Sequence, residues 1–547
     1  MSTAGATPRN VSAWLPIMAA QQPDALAVAV ANKGGGYTRL TARQLDGLCD
    51  RAAHALVAAG ITKGMRTVLM VAPSTEFFAI TFALFKIGAV PVMVDPGMGI
   101  KNLSQCLREA EPEAFVGTPK AQAARLLLRW AKGTLRIHVT VGPKLFWGGH
   151  RYARILSATP STPFEVDASG PEQLAAILFT SGSTGVPKGV LYTHAMFSAQ
   201  VDALRTVFGI EPGEVDLSTF PLFALFGPAL GMASVVPEMD ASRPGESDPR
   251  QLVAAIHDFA CTNMFASPAL LNLIGRYVEQ HRVQLPSLRR VISAGAPASV
   301  SSLERLARHL AAEAEIFTPY GATESLPTTW IGSREILNET RQQTDQGAGV
   351  CVGLPVPGME VAVIAISDEV IDTWSDDLRV PAGTTGEIVV RGPVVSRAYF
   401  KREESTRHAK INGADGTFRH RMGDVGYLDA KGRLWMCGRK SQRVELASET
   451  LFTIPCEAIF NTHEAVSRSA LVAVVRDGKT QPLLCVELEK GHRPSDRLTR
   501  ELLALGQAHP HTRTIQKILY HPSFPVDVRH NAKIFREKLS AWAQKRL

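Results

Sequence analysis

"LFTSGSTGVPKG", residues 178–189, decides how the rest of the chain is read. Three glycines, four hydroxyl side chains, a proline and a lysine follow an apolar run, so a strand feeds a loop rich in hydrogen-bond donors. Exposed backbone N–H groups and hydroxyls suit a phosphate chain. The stretch is not the common P-loop: counted from Gly182, that motif needs glycine where Pro187 stands and Ser or Thr where Gly189 stands. It is not a nucleophile elbow either, because Ser181 rather than glycine stands two residues before Ser183. A dinucleotide-type Gly-x-Gly-x-x-Gly is absent from it. By composition alone it is equally a flexible loop between a strand and a helix.

Both flanks have α/β texture. In "LTARQLDGLCDRAAHALVAAG", Leu45, Leu48, Ala52, Leu56 and Val57 mark one helical face, and Gly60 follows as a stop. A strand over 66–72 comes next. The apolar stretch 77–94 tempts a membrane reading, but Lys86 and Gly88 interrupt it and Pro91 breaks it. A buried helix over 76–87 and a buried strand over 90–94 fit better. Strand, helix and strand with short links predict parallel α/β units. After the loop, "THAMFSAQVDALRTVFG" predicts a helix, and the segments around "TNMFASP" and "RRVISAGAPAS" predict strands that end in small residues. After about Gly349 the texture changes to short β runs, two of them joined as a hairpin at 429–432. The last hundred residues return to α/β character, with strands "ALVAVVRDG" and "PLLCVELE" and a helix over 500–507. The polar stretch 438–445 reads as a boundary between a large and a small domain.

Length and composition agree with that organisation. The 547 residues exceed one compact domain, and 45% hydrophobic with 20% charged residues is an ordinary globular balance. The net charge of +8 is spread along the chain, with no basic block interleaved with aromatics, which argues against a nucleic-acid partner. Seven scattered cysteines without a Cys-x-x-Cys pair predict reduced thiols in a cytosol. The N-terminal "MSTAGATPRN" has no apolar h-region, so no signal peptide is expected. His463-Glu464 lacks the second histidine of a zinc-protease helix.

The order of residues in "TSGSTGVPKG" resembles the phosphate loop of the adenylate-forming superfamily of acyl-CoA synthetases, firefly luciferase and peptide-synthetase adenylation domains. Further elements keep that family's order over essentially the whole chain: "SAGAPAS", "YGATES", "GLPVPGMEV", "RMGDVGYLDAKGRLWMCGRK" and "NAKIFREKL". The resemblance implies an α/β fold with a large N-terminal domain, residues 1–440, of parallel-rich sheets sandwiched with helices plus a β subdomain. A small mobile C-terminal α+β domain, residues 441–547, would act as a lid. It implies ATP and Mg²⁺ as cofactors and a first step that turns a carboxylate and ATP into acyl-AMP and pyrophosphate.

Roles carry over by position. Thr180, Ser181, Gly182, Ser183, Thr184, Gly185 and Lys188 would cradle the β- and γ-phosphates. Tyr320 and Gly321 would meet the adenine, with Gly295, Ala296 and Pro297 as the other wall. Thr323 would bond the α-phosphate, Glu324 would hold Mg²⁺, and Asp424 would accept both ribose hydroxyls with Arg439 in support. Lys533, brought by the small domain, would join Thr184 and Glu324 as a catalytic group by stabilising the developing charge. Taken singly, Glu324 reads as a helix-entry carboxylate, Asp424 as a turn residue, Tyr320 as core and Lys533 as a surface charge. In register they read as one site.

Departures from the ligase pattern concern the second step. Ala224 stands where "PLFH" has histidine, Ser441 at the hinge position, and Glu445 and Ser448 replace the lysine and glycine that let pantetheine pass. "FPLFALFGPALGM", "RHRMGDVGYLD" and "DVRHNAKIFREKL" resemble more closely the β-lactone synthetases of bacterial long-chain olefin biosynthesis. That resemblance implies a 2-alkyl-3-hydroxyalkanoic acid substrate whose own 3-hydroxyl is the acceptor. Phe223, Ala224, Phe226 and Gly227 would line the acyl pocket. It also implies thiolase-like, reductase and β-lactone decarboxylase partners, and a cytoplasmic location with membrane contact through those partners. An acyl-CoA or acyl-carrier ligase, a peptide-synthetase-like module and a non-catalytic nucleotide- or lipid-binding scaffold stay open as alternatives.

Overall fold

The computed structural model describes residues 10–180, 187–240, 243–526 and 534–546. Two seven-stranded sheets dominate its first half, each parallel except for one antiparallel edge strand. One runs from His150–Arg151 through Ile137–Thr140, Ala114–Gly117, Arg66–Met70, Val90–Met93 and Leu174–Phe179 to the antiparallel Gly189–Thr193. The other runs from Glu315–Phe317 through Arg290–Ser293, Asn263–Ala266, Val215–Ser218, Ala233–Val236 and Leu26–Ala31 to Tyr37–Thr41.

The helices Ala42–Ala58 and Thr75–Ile87 lie between these sheets: one apolar cluster joins Val28 and Val30 to Leu45, Phe78, Ile80, Val116 and Val139. Every residue from Phe77 to Ile87 is buried, so this helix is apolar all round because protein covers all its faces. The expected helix and strand of the membrane-like stretch are therefore present as core. Lys86, the buried charge in that helix, reaches Asp46 at 2.6 Å and also Asp50 on the neighbouring helix. Gly88 ends the helix at φ +74°, where a Cβ would meet the Asp167 carboxylate at 2.9 Å. Among the described residues no helix is long and apolar enough to cross a membrane.

An eight-stranded antiparallel sheet follows. It starts at Tyr320–Ala322 and Ser325–Trp330, earlier than the change of texture at Gly349 suggested. The polar "YGATES" lacks the apolar alternation that marks a strand. The expected hairpin joins Phe418–Leu428 to Leu434–Arg439. Beyond Thr453 the strands Val466–Arg476, Lys479–Leu488 and Ile518–Tyr520 form a separate sheet covered by helices, among them Thr453–Phe460 and Arg536–Gln544. The helix expected over 500–507 begins earlier, at Asp496, because the Ser495 hydroxyl caps it by accepting from the Leu498 N–H at 3.1 Å.

Candidate active site

The opening loop does not lead from strand to helix. It closes a hairpin: Leu174–Phe179 pairs antiparallel with Gly189–Thr193, and only then does the helix His194–Phe208 start. The short strand "GVLYT" escaped notice because it directly abuts the helix. The neck of the hairpin is pinned by Thr180, whose N–H donates to the Lys188 carbonyl at 3.0 Å and whose Oγ1 accepts from the Lys188 N–H at 3.3 Å. Ser181, Gly182, Ser183, Thr184 and Gly185 lie outside the described residues, as does Lys533.

Four of the expected residues occupy one tight turn or its root. Tyr320 pairs with Thr329 and Ala322 with Ser325, so Thr323 and Glu324 are the two turn residues of a hairpin rather than a helix entry. Gly321 has to be glycine there, since a Cβ would sit 2.4 Å from the Ser325 carbonyl oxygen. Tyr320 is buried, and its hydroxyl donates to Asp424 Oδ2 at 2.7 Å. Asp424 is 2% exposed and lies in register with Arg439, whose Nη1 is 2.9 Å from Asp424 Oδ1. The carboxylate raises the Arg439 pKa further above its ordinary value, and burial with the adjacent carboxylate raises that of the Tyr320 phenol. Asp424 is thus a strand residue in a charge cluster, not a turn residue.

Glu324 is held by a segment that the sequence reading passed over. Its Oε1 accepts from the Tyr399 hydroxyl at 2.7 Å, and its carbonyl accepts from the Ser396 N–H at 2.8 Å. Tyr399 also bridges to Val190 of the phosphate-loop hairpin, and Lys188 Nζ stands 4.8 Å from the centre of its ring. On the same hairpin, the Tyr192 hydroxyl donates to the Thr323 carbonyl at 2.6 Å. Two segments far apart in the chain therefore converge on Thr323 and Glu324. Behind them the buried Lys410 donates to the Ser396 carbonyl, and burial brings its ammonium down to about 7. Tyr399 lies in the irregular stretch between the strand Gly386–Arg391 and the helix Glu403–Ala409, where no periodicity marks it. Lys410 left no trace in the sequence.

Gly295, Ala296 and Pro297 follow the strand Arg290–Ser293 at its carboxyl end, and Ile292 is in register with Phe317, three residues before Tyr320. Gly295 adopts φ +98°. The carboxyl ends of parallel strands are where such sheets take ligands. Ser293 Oγ, buried at this end, has no hydrogen-bond partner. A nucleotide base edge can satisfy such an atom, so the residues fit ATP. Among the described residues no three His, Cys, Asp or Glu side chains cluster for a metal. One carboxylate beside a phosphate loop still fits Mg²⁺, which takes most of its ligands from phosphate oxygens and water.

The expected acyl-pocket residues form an aromatic wall. Phe223 stacks on Phe265 at 4.8 Å and meets Phe226 edge-on at 6.2 Å. Phe226 reaches Phe197 at 6.3 Å, and Phe197 reaches Tyr192 at 5.1 Å. The wall thus ends at the tyrosine bonded to Thr323. Ala224 is buried, and its carbonyl accepts from Ser234 Oγ at 3.2 Å; a Cβ on Gly227 would lie 2.7 Å from that same oxygen. Asp216, unnoticed in the sequence, is fully buried on the same sheet face as Phe265. Ser218 Oγ donates to its Oδ2 at 2.6 Å, Oδ1 has no partner, and burial pushes the carboxyl up to about 7. Glu445 and Ser448 belong to a surface hairpin of Val444–Glu445 with Thr450–Leu451, and Glu445 is exposed and paired with Arg443 at 3.0 Å.

This geometry matches known proteins. The family model of AMP-binding enzymes matches residues 16–400. The chain belongs to that family. It is 48% identical over 551 residues to a protein of Stenotrophomonas maltophilia named olefin beta-lactone synthetase, covering 99% of each chain. A protein of the same name from Xanthomonas campestris is 48% identical over 546 residues, covering 98% of this chain and 97% of that one. The amide bond synthetase McbA from Marinactinospora thermotolerans shares the fold with a TM-score of 0.79 at 24% identity, over 97% of this chain and 99% of that one. The family membership makes the chain an adenylate-forming ligase that uses ATP.

Proposed function

We infer that the chain activates a long-chain 2-alkyl-3-hydroxyalkanoic acid with ATP and closes it to a β-lactone. The observation that carries this reading is the 48% identity, over almost the full length, to two olefin beta-lactone synthetases. In the first step a carboxylate oxygen attacks the α-phosphorus and pyrophosphate leaves. In the second, the 3-hydroxyl oxygen attacks the adenylated carbonyl carbon, the bond from that carbon to AMP breaks, and the hydroxyl proton passes to solvent. A hydroxyl tethered two carbons away has an effective concentration that no diffusing thiol reaches, which offsets part of the ring strain.

Each group has a task in this scheme. Tyr320 and residues 295–297 enclose the base, and Asp424 fixed by Arg439 takes the ribose hydroxyls. Thr180, Ser181, Ser183, Thr184 and Lys188 hold the phosphates through donors that can follow the charge as it moves to pyrophosphate. Glu324 would hold Mg²⁺ together with phosphate oxygens, and the ion would neutralise charge on the leaving pyrophosphate. Lys533 would stabilise the charge shared by carboxylate and α-phosphate, carried by residues 441–547 acting as a lid on residues 1–440. The aromatic wall from Phe265 to Tyr192 would seat the alkyl chains. Thiolase-like, reductase and decarboxylase enzymes are the partners such a substrate and product would need.

A paired reaction tests the scheme. The chain is incubated with ATP and Mg²⁺, with and without CoA, on a long-chain 3-hydroxy acid and on the same acid lacking the hydroxyl. Lactone and AMP are expected from the hydroxy acid alone, indifferent to CoA. A thioester from both acids that forms only with CoA would make this an acyl-CoA ligase.

A further inference from the structure

Six of the eleven exposed large apolar side chains among the described residues fall between positions 100 and 146. They are Ile100, Leu126, Leu127, Leu128, Leu145 and Phe146, with Leu127 83% and Phe146 87% exposed. They are held in place, not loose. The buried Trp130 beside the three leucines donates from Nε1 to Ser104 Oγ at 2.7 Å. The buried Trp147 donates to Thr140 Oγ1 at 2.9 Å and packs edge-on against Phe146 at 5.4 Å.

The fold puts all of these side chains but Ile100 in the connections at one margin of their sheet. Ala114–Gly117, Ile137–Thr140 and His150–Arg151 are the last three strands of their sheet, and His150–Arg151 is its edge. The helix Pro119–Leu127 with residues 128–136 links the first two, and residues 141–149 link the last two. Both apolar knuckles therefore flank the strand Ile137–Thr140. The nine-residue helix, about 14 Å long, carries the leucines at its carboxyl end, just before that strand, and Leu145 and Phe146 lie just after it.

The charge around them has one sign. Residues 100–154 contain ten Lys or Arg and three Glu, with no Asp. All three glutamates are engaged: Glu109 with Arg402 at 2.6 Å, Glu111 with Lys401 at 2.5 Å and Glu113 with Arg66 at 3.6 Å. Nine of the ten cations are exposed, Lys120, Arg129, Lys132, Arg136 and Lys144 among them. Each of the other ion pairs described lies elsewhere, so these cations face solvent without a carboxylate among the described residues.

We propose that this margin docks the enzyme directly on an anionic phospholipid surface, with Leu127 and Phe146 entering the acyl boundary and the surrounding cations meeting the headgroups. Exposed apolar side chains ringed by lysine and arginine are what such an interface requires, since apolar burial and attraction to anionic lipid add. A protein partner would have to present a wide acidic, apolar face to match it. The contact would be the chain's own and would need no partner enzyme. If the reaction inferred above holds, both substrate and product are long-chain lipids that concentrate in the same bilayer, but the surface itself does not depend on that reaction.

Flotation of the full chain with vesicles tests this. Vesicles of phosphatidylglycerol and phosphatidylcholine should carry the protein, and vesicles of phosphatidylcholine alone should not. Leu127→Asp/Phe146→Asp should lose binding, and Lys132→Glu/Arg136→Glu should weaken it roughly tenfold or more. Melting temperature and ATP–pyrophosphate exchange on a water-soluble short-chain acid should stay unchanged in both. The two pairs fail independently, so misfolding of one leaves the other as the reading. Equal binding by wild type and both variants, or equal binding to neutral vesicles, would overturn the proposal. So would loss of a dimer on gel filtration in the Asp variant without vesicle binding by wild type, which would make the margin a contact between copies of this chain.

Discussion

At the proposed nucleotide end, carboxylates meet donors brought from other segments: Asp424 has Tyr320 and Arg439, and Glu324 has Tyr399. At the acyl end, Phe223, Phe226 and Phe265 pack on one another, and the Asp216 carboxyl on that sheet face has a serine hydroxyl but leaves Oδ1 without a partner. The same residue type serves differently in each place. Pairing keeps charge fixed where the proposed function seats a ribose and a phosphate chain. Burial without an ionic partner drives Asp216 toward its neutral form, so this carboxyl is mostly uncharged below about pH 7. Under the function proposed above, specific recognition would be concentrated in the first end, and the acceptor chemistry would be left to shape at the second.

Removing Asp424 should break this contrast most strongly. In Asp424→Ala, Arg439 loses its carboxylate in a mostly buried setting, and breaking such a pair costs about 3–5 kcal/mol. The two ribose hydroxyls would also lose a charged acceptor worth about 1.5–3 kcal/mol per bond, so affinity for ATP and AMP, measured by calorimetry, should fall roughly 10²-fold or more. Ordinary nucleotide affinity with a lowered melting temperature would make the cluster a scaffold, and the two ends would no longer differ in kind.

Tyr399→Phe is the next largest. It deletes one hydrogen bond to a charged group, about 1.5–3 kcal/mol, while leaving the ring under Lys188. ATP–pyrophosphate exchange should fall roughly 10- to 100-fold in kcat/KM with AMP binding near wild type. An unchanged exchange rate would show that Tyr399 only packs.

These two residues also mark what the sequence could and could not convey. Asp424 was legible because its motif has a fixed neighbour, and the turn that pairs it with Arg439 lies a few residues on, at 429–432. Tyr399 was not, because its partner Glu324 is 75 residues away and nothing local reports that distance. The core helix Thr75–Ile87 was legible from a long apolar run that Lys86 and Gly88 cut to helix length, whereas the five-residue strand Gly189–Thr193 was hidden by the helix it abuts. Buried charges are the hardest case. Lys410 and Asp216 look like surface residues until the fold removes their water, so both were invisible before the structure.

Those two buried charges give predictions of opposite sign. Lys410 titrates near 7 when folded and near 10.5 when unfolded, so between those values the unfolded chain binds more protons and wild-type stability rises with pH. Lys410→Met lacks that slope. Its stability relative to wild type should be greatest at or below pH 7 and decline toward pH 10, by about 1 kcal/mol per pH unit within the window. The Ser396 carbonyl loses its donor in the variant, which lowers the whole curve without tilting it. Denaturant melts at pH 7.5 and 9 check this. A parallel pair of curves would mean that Lys410 keeps an ordinary ammonium.

For Asp216 the window lies lower and the sign is reversed. The folded carboxyl titrates near 7 and the unfolded one near 3.8, so across that interval the folded state binds more protons. Wild-type stability therefore falls as pH rises from 4 to 7, and the burial penalty is fully present above 7. Asp216→Asn removes the penalty and can still accept from Ser218 Oγ through its amide oxygen. Its gain over wild type should be small at pH 4.5 and reach about 1–2 kcal/mol by pH 8, since the amide has its own donors to place in an apolar setting. Because the amide is uncharged at every pH, ATP affinity should be unaffected. Turnover of a long-chain acid should likewise lose any decline that wild type shows above pH 7. If the variant is destabilised equally at both pH values, Asp216 is a charged structural residue with a partner of its own, and the acyl end would then resemble the nucleotide end rather than oppose it.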